Sequence, residues 1–387
     1  MEHLLNQQVK TIEISGIRKF FNMVTDVEDV VSLTIGQPDF YTPEHIKEAS
    51  IKAVKTNKTT YTSNAGIIEL RRAIAHYYET NYHVSFHPED EIIVTTGASQ
   101  GIDIVLRTIL NPGDEVILPA PIYPGYEPLI TLAGAKTVHV DTSNHQFKMT
   151  KELLKQAITD NTKCIVLPYP SNPTGVSLTH SELKELVDVL KDKNIFILAD
   201  EIYSELVYDF DHTSIASFQE VANRTIVING VSKSHSMTGF RIGYVLAPRW
   251  LTAHLLKVHQ YNVACASSIS QYAALEALTH GIDDPPKMKE VYVKRRDYVY
   301  DRFSNMGISA NKPNGAFYLF PNISKPGMSS LELGVDIVRK GKVALVPGGS
   351  FSEYGEQYMR LSYAYDFTTL EKGLNRLEEY FYRYIKG

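Results

Sequence analysis

The chain reads as an α/β protein, with a mainly parallel sheet covered by helices on both faces in a large domain, and a smaller α+β domain beside it. Three observations predict this. A length of 387 residues leaves room for two domains. From about Glu91 to Ala247, short apolar runs alternate with longer amphipathic ones. Beyond Ala247 the alternation stops, and long helical stretches lead into a few short strand-like runs.

The short runs of the first region are EIIVTT (91–96), EVILPA (115–120), KTVHV (136–140), KCIVLP (163–168), IFILAD (195–200), TIVING (225–230) and RIGYVLA (241–247). Most are rich in Val and Ile and apolar on both faces, as strands between two helix layers must be. Segments between them, such as HSELKELVDVLKDKN (180–194), carry helical spacing. The later region reads as helices from Pro248 to Met306, then GAFYLF (315–320), a helix near Ser330–Lys340, KVALVP (342–347), YMRLSY (358–363) and a closing helix from Thr368. The DDPP break at 283–286 is the expected domain boundary. The division expected is 1–45 for an N-terminal arm and part of the smaller domain, 46–283 for the large domain, and 284–387 for the smaller C-terminal domain.

Composition excludes several classes. A net charge of -5 lacks the basic excess of a nucleic-acid surface. No apolar stretch approaches a bilayer span, and the N-terminus has no signal-like apolar core. The two cysteines, Cys164 and Cys265, fit a reducing compartment, and with thirteen unclustered histidines they give no metal-ligand spacing.

Four segments carry groups able to do chemistry. GVSKSHSMTGFRIGY (230–244) links two strand-like runs and sets Lys233 between Ser232 and Ser234, with Arg241 downstream. Alone, it could be an ordinary Ser/Gly loop with a surface lysine. IFILAD ends in Asp200, where a parallel strand delivers groups to a ligand, although a helix N-cap is the commoner use of such an acid. LPYPSNPTG (167–175) ends a strand in a turn containing Asn172, which plain turn chemistry also explains. TTGASQG (95–101) runs from strand into helix, so the amides near Ala98 and the Ser99 hydroxyl could take a phosphate at a helix N-terminus.

Together these segments resemble the class I/II, fold type I, pyridoxal-phosphate-dependent aminotransferases. GVSKSHSMTGFRIG is similar to that family's cofactor-lysine signature over its whole length. The order Asn-Pro-x-Gly, Asp-x-x-Tyr, Ser-Lys…Arg and a late Arg in YMRLSY is also the family's. The resemblance runs from IGQPDF (35–40) to MRLSYA (359–364). It implies pyridoxal 5'-phosphate as cofactor, held by Lys233 as a Schiff base, with the freed amine later moving the substrate proton. It implies that Asp200 binds the ring nitrogen, that Asn172 and Tyr203 meet the phenolic oxygen, and that Tyr123 covers the ring face. Ala98, Ser99, Ser232 and Arg241 are implied for the phosphate, with Tyr61 reaching the neighbouring subunit of a homodimer. Arg360 and the Gly36 backbone are implied for the substrate α-carboxylate, with Asn172 beside them.

The activity expected is a ping-pong exchange of an amino group between an L-amino acid and a 2-oxo acid in the cytoplasm. In relatives specific for aspartate, a Gly-Gly-Lys-Gln segment supplies a lysine for the distal carboxylate. This chain has Gly97-Ala98-Ser99-Gln100 there, which argues against aspartate. Across its length the chain most resembles the N-acetyl-L,L-diaminopimelate aminotransferases of lysine biosynthesis. The alternatives are an aromatic or aspartate aminotransferase, a C–S lyase on the same fold, and a non-catalytic ligand sensor. The sensor would need an added DNA-binding segment, and the roughly 35 residues before IGQPDF show no helix-turn-helix pattern.

Overall fold

The computed structural model describes residues 1–384. A first short strand, β1 (Val31–Ser32), precedes the strands of the main sheet. These are β2 (Ile92–Thr95), β3 (Glu115–Ala120), β4 (Lys136–Asp141), β5 (Thr162–Leu167), β6 (Phe196–Asp200), β7 (Thr225–Gly230) and β8 (Gly243–Leu246). Each of the seven apolar runs read from the sequence supplies one of them. Their order across the sheet is β2-β8-β7-β6-β5-β3-β4. All neighbours pair in parallel except β8, which runs antiparallel to both β2 and β7.

Both faces of this sheet are buried, and alternate residues of each strand enter different cores. Ile117, Ile165, Leu167, Ile197, Ala199 and Val227 pack on one face, against helices Ile68–Tyr82, His180–Leu190 and Ser268–Thr279. Val116, Leu118, Val166, Leu198, Ile226 and Ile228 pack on the other, against helices Gly97–Ile109 and Arg249–Val263. This period-two division is why the strands read as unbroken apolar runs.

The remaining strands are β9 (Tyr318–Leu319), β10 (Val343–Ala344), β11 (Val346–Pro347) and β12 (Met359–Ser362). β11, β12 and β9 form an antiparallel sheet, while β1 pairs in parallel with β10. A third core, including Leu33, Phe317, Leu345, Leu361, Leu374 and Leu377, joins these strands to the closing helix Phe367–Tyr384. KVALVP is therefore two short strands with different partners. The DDPP segment opens the 22-residue helix Asp284–Asn305, with proline in the first turn, where its missing N–H costs no hydrogen bond. Among the described residues, no helix is long and apolar enough to cross a membrane.

Candidate active site

The chain reaches β4 at the sheet edge and then returns to place β5 on the other side of β3. Connections that leave a parallel sheet in opposite directions open a crevice at the strands' carboxyl ends. A cavity of about 350 Å³ lies there, lined by residues at or after the ends of β2, β3, β5, β6 and β7, by Gly36 in the segment after β1, and by Tyr318 and Arg360 from the smaller antiparallel sheet. Of the residues singled out in the sequence, all but Tyr61 line it. Tyr61 is 88% exposed in the single chain.

Lys233 stands on a short helix, Val231–Ser234, directly after β7. Its Nζ donates to the Gly36 carbonyl at 2.6 Å. Burial, reinforced by the nearby Arg360 and Arg241 cations, brings its pKa down to about 8. A lysine so placed holds an appreciable fraction of neutral, nucleophilic amine near neutral pH. Asp200 ends β6 and is buried, with its Oδ2 accepting from the Tyr126 hydroxyl at 2.6 Å. Burial pushes its pKa up to about 6, with the hydrogen bonds from Tyr126 and the Ile202 amide acting in the opposite direction. A buried carboxylate of this kind favours a cationic partner.

At one end of the cavity, Arg241 sits just before β8 in the left-handed region, φ +54°. A Cβ at Gly97 would lie 2.4 Å from its Nη2, and Gly97 itself has φ +75°. Glycine thus lets the guanidinium approach the start of helix Gly97–Ile109. Ala98, Ser99 and Ser232 line the cavity with Arg241, giving a set of amides, hydroxyls and a planar cation suited to a phosphate.

At the other end, Arg360 on β12 is buried. It donates to Asn172 Oδ1 at 2.8 Å and to the Thr34 carbonyl at 2.6 Å, and it stacks 4.5 Å over the Tyr318 ring. No carboxylate pairs with it among the described residues, and its buried Nε has no partner. A buried guanidinium that lacks a counter-ion favours an anionic ligand.

Two lining residues were not legible beforehand. Tyr126 holds Asp200, and Tyr318 bonds Tyr203 at 2.8 Å between hydroxyls. The repeated tyrosine in PIYPGYEP was the available signal for the first. Nothing local marked the second, which sits in an apolar run. Tyr123 faces Tyr126 edge-on at 5.6 Å and also borders a wider open cleft beneath residues 11–21.

This donor set fits pyridoxal 5'-phosphate on the chain's own terms, with a buried amine, a buried acid, and a hydroxyl-and-guanidinium cradle in one cavity. The comparisons agree with that geometry. The family model for aminotransferase class I and II matches residues 28–377. A Bacillus subtilis (strain 168) protein named as a probable N-acetyl-LL-diaminopimelate aminotransferase is 60% identical over 98% of this chain and 96% of its own length. An aromatic aminotransferase from Pyrococcus horikoshii OT3 superposes with TM-score 0.89 at 37% identity, covering 94% of this chain and 98% of that one. A double mutant of Thermus thermophilus aspartate aminotransferase superposes with TM-score 0.92 at 34% identity, covering 97% and 99%. The chain belongs to the class I and II aminotransferases, a family of pyridoxal-phosphate-dependent enzymes.

Proposed function

We propose that this aminotransferase exchanges an amino group between N-acetyl-L,L-diaminopimelate and the 2-oxoglutarate/glutamate pair, by a ping-pong mechanism. The observation that carries this reading is the 60% identity, over nearly both full lengths, with the relative named for that substrate. Two features of the site support it. Ser99 stands where a fixed cation would serve a short dicarboxylate. The open cleft beyond Tyr123 offers room for a long, acylated side chain.

In this reading each residue has a task that its surroundings suit. When bound, the cofactor supplies an electron sink for the charge left on the substrate's α-carbon. Asp200 holds the positive charge of the ring nitrogen. Asn172 and Tyr203 hydrogen-bond the phenolic oxygen, and Tyr123 covers the ring. Ala98, Ser99, Ser232 and Arg241 anchor the phosphate. Arg360 and the Gly36 backbone hold the substrate carboxylate. Lys233 takes the proton from the α-carbon, a step suited to an amine with a pKa of about 8.

The working unit we propose is a homodimer in which Tyr61 reaches the neighbouring subunit's phosphate site. Its exposure of 88% supports this, since little in its own chain covers it. The cytoplasm is the compartment proposed, in keeping with the two free cysteines.

Turnover efficiency with N-acetyl-L,L-diaminopimelate, aspartate and phenylalanine, each paired with 2-oxoglutarate, tests the substrate. The acylated diamine should win. Loss of one charged partner for a distal group costs roughly 10²-fold in discrimination, so aspartate should trail by about that factor. A tenfold or greater preference for aspartate would defeat the Ser99 argument, and a preference for phenylalanine would make this an aromatic aminotransferase. Borohydride reduction followed by peptide mapping should find the pyridoxyl label on Lys233. A label on another lysine would remove Lys233 from its role.

A further inference from the structure

The hydroxyls of Tyr203 and Tyr318 lie 2.8 Å apart, and both side chains are buried. A phenol has one proton to give. The pair therefore shares one hydrogen bond, and its direction decides what Tyr203 can do. If Tyr203 donates to Tyr318, it has no proton left for the cavity. If Tyr318 donates, the Tyr203 proton is free to point inward.

The surroundings favour Tyr318 as the donor. The Arg360 guanidinium lies 4.5 Å over the Tyr318 ring centre. A cation against a π face withdraws electron density from the phenol, which makes it a better donor. Tyr203 has a cation over its own ring, Lys233, but at 5.7 Å it stands farther off, so Tyr318 is the more strongly polarised of the two. Tyr318 is also fixed in place. Its ring meets that of Tyr203 edge-on at 5.9 Å, and a Cβ at Gly36 would lie 2.7 Å from its hydroxyl. Glycine at 36 thus leaves space for that oxygen.

We propose that Tyr318 is a positioning residue whose hydroxyl donates to Tyr203, committing the Tyr203 proton to the cofactor's phenolic oxygen. This rests on the cofactor reading above. Arg360 then has a second use. While binding carboxylate, it also polarises the phenol that sets the direction of this bond.

The test is a double-mutant cycle on the holoenzyme with Tyr318→Phe and Tyr203→Phe. The readout is the pH midpoint of the bound cofactor's visible absorbance change. Tyr318→Phe keeps the ring beneath Arg360 and removes only the oxygen. It should raise the midpoint by about 0.3–1 pH unit, the scale of one hydrogen bond, because the anionic phenolic oxygen is less well held. In the Tyr203→Phe background the same substitution should move the midpoint by less than a third of that. The kcat should fall several-fold while KM for the amino donor stays within about twofold, since Arg360 is undisturbed. An equal shift in both backgrounds, or none in the first, overturns the proposal. Should Tyr318→Phe fail to fold, 3-fluorotyrosine at 318, a stronger donor, should move the midpoint down, and an upward shift overturns the proposal. If the unmutated protein shows no visible cofactor absorbance, the cofactor reading itself fails, and this inference with it.

Discussion

Asp200 and Tyr126 show how a buried acid is kept usable. Burial alone raises the carboxyl, and the 2.6 Å hydrogen bond from Tyr126 works the other way, leaving its pKa at about 6. A hydrogen bond to the charged form favours that form. Tyr126→Phe should therefore raise the Asp200 pKa further. In the cofactor-free protein the carboxyl titration of Asp200, followed by NMR, should move up by about one unit or less. An unmoved titration would show that Tyr126 does not hold the carboxylate. Asp200→Ala should cost orders of magnitude in turnover while the fold survives, and Asp200→Glu should retain more activity than the alanine variant. Near-normal turnover of Asp200→Ala would show that a different group holds the ring nitrogen. Local sequence exposes Asp200, at the end of an apolar strand, but hides its partner. Tyr126 is one of 24 tyrosines and lies 74 residues away in the chain.

Secondary elements differ in how much their sequence discloses, and the reason is where their partners lie. The strands of the main sheet are legible because double coverage makes both faces apolar, a signal contained within each run. The two halves of KVALVP are not separable in that way. Val343–Ala344 takes β1, more than 300 residues earlier, and Val346–Pro347 takes β12. Likewise DDPP reads as a break, because proline punctuates loops and first turns alike. At this junction His45, on helix Glu44–Lys55, joins two later helices. Its Nδ1 is 3.0 Å from Glu276 and its Nε2 is 2.9 Å from Asp284. A neutral imidazole has one N–H, so donating to two carboxylates requires the cation. His280 and Lys287 also face these acids, and nearby His235 is held toward its neutral form, chiefly by burial and also by the His45 charge. Burial lowers the His45 pKa, but the hydrogen bonds it donates to Asp284 and Glu276, with their charges, outweigh it, and the net shift is upward. A raised folded pKa gives stability that is complete below about pH 6.5, the unfolded value, and fades as pH rises through the folded one. His45→Gln should therefore lower Tm most near about pH 6, with the gap narrowing by about pH 9. A gap unchanged between the two would assign the effect to packing.

At the scale of the whole molecule, the cavity is assembled from both parts of the chain. Lys233 from the main sheet bonds Gly36, and Arg360 from the small sheet bonds Asn172 and Thr34. Of the residues expected at the site, Tyr61 alone stays outside the cavity, largely exposed. If Tyr61 completes the neighbouring subunit's phosphate site, defects at 61 and 233 must complement between subunits. Lys233→Ala should be inactive, and Tyr61→Ala should bind cofactor weakly. In a hybrid dimer of the two, one site lacks both groups. The other takes Lys233 from one subunit and an intact Tyr61 from its partner, and so is wild type. Half the dimers in an equal, fully exchanged mixture are hybrids, each with one good site. Activity at limiting cofactor should therefore recover to about a quarter of the wild-type value. If Tyr61 serves its own subunit, no site in the hybrid is intact, and the mixture cannot exceed the mean of its two parents. Measuring the mixture before and after subunit exchange, with a monomer–dimer check by sedimentation, separates these outcomes. A mixture that stays at the parental mean despite confirmed exchange would return Tyr61 to the role of a surface tyrosine.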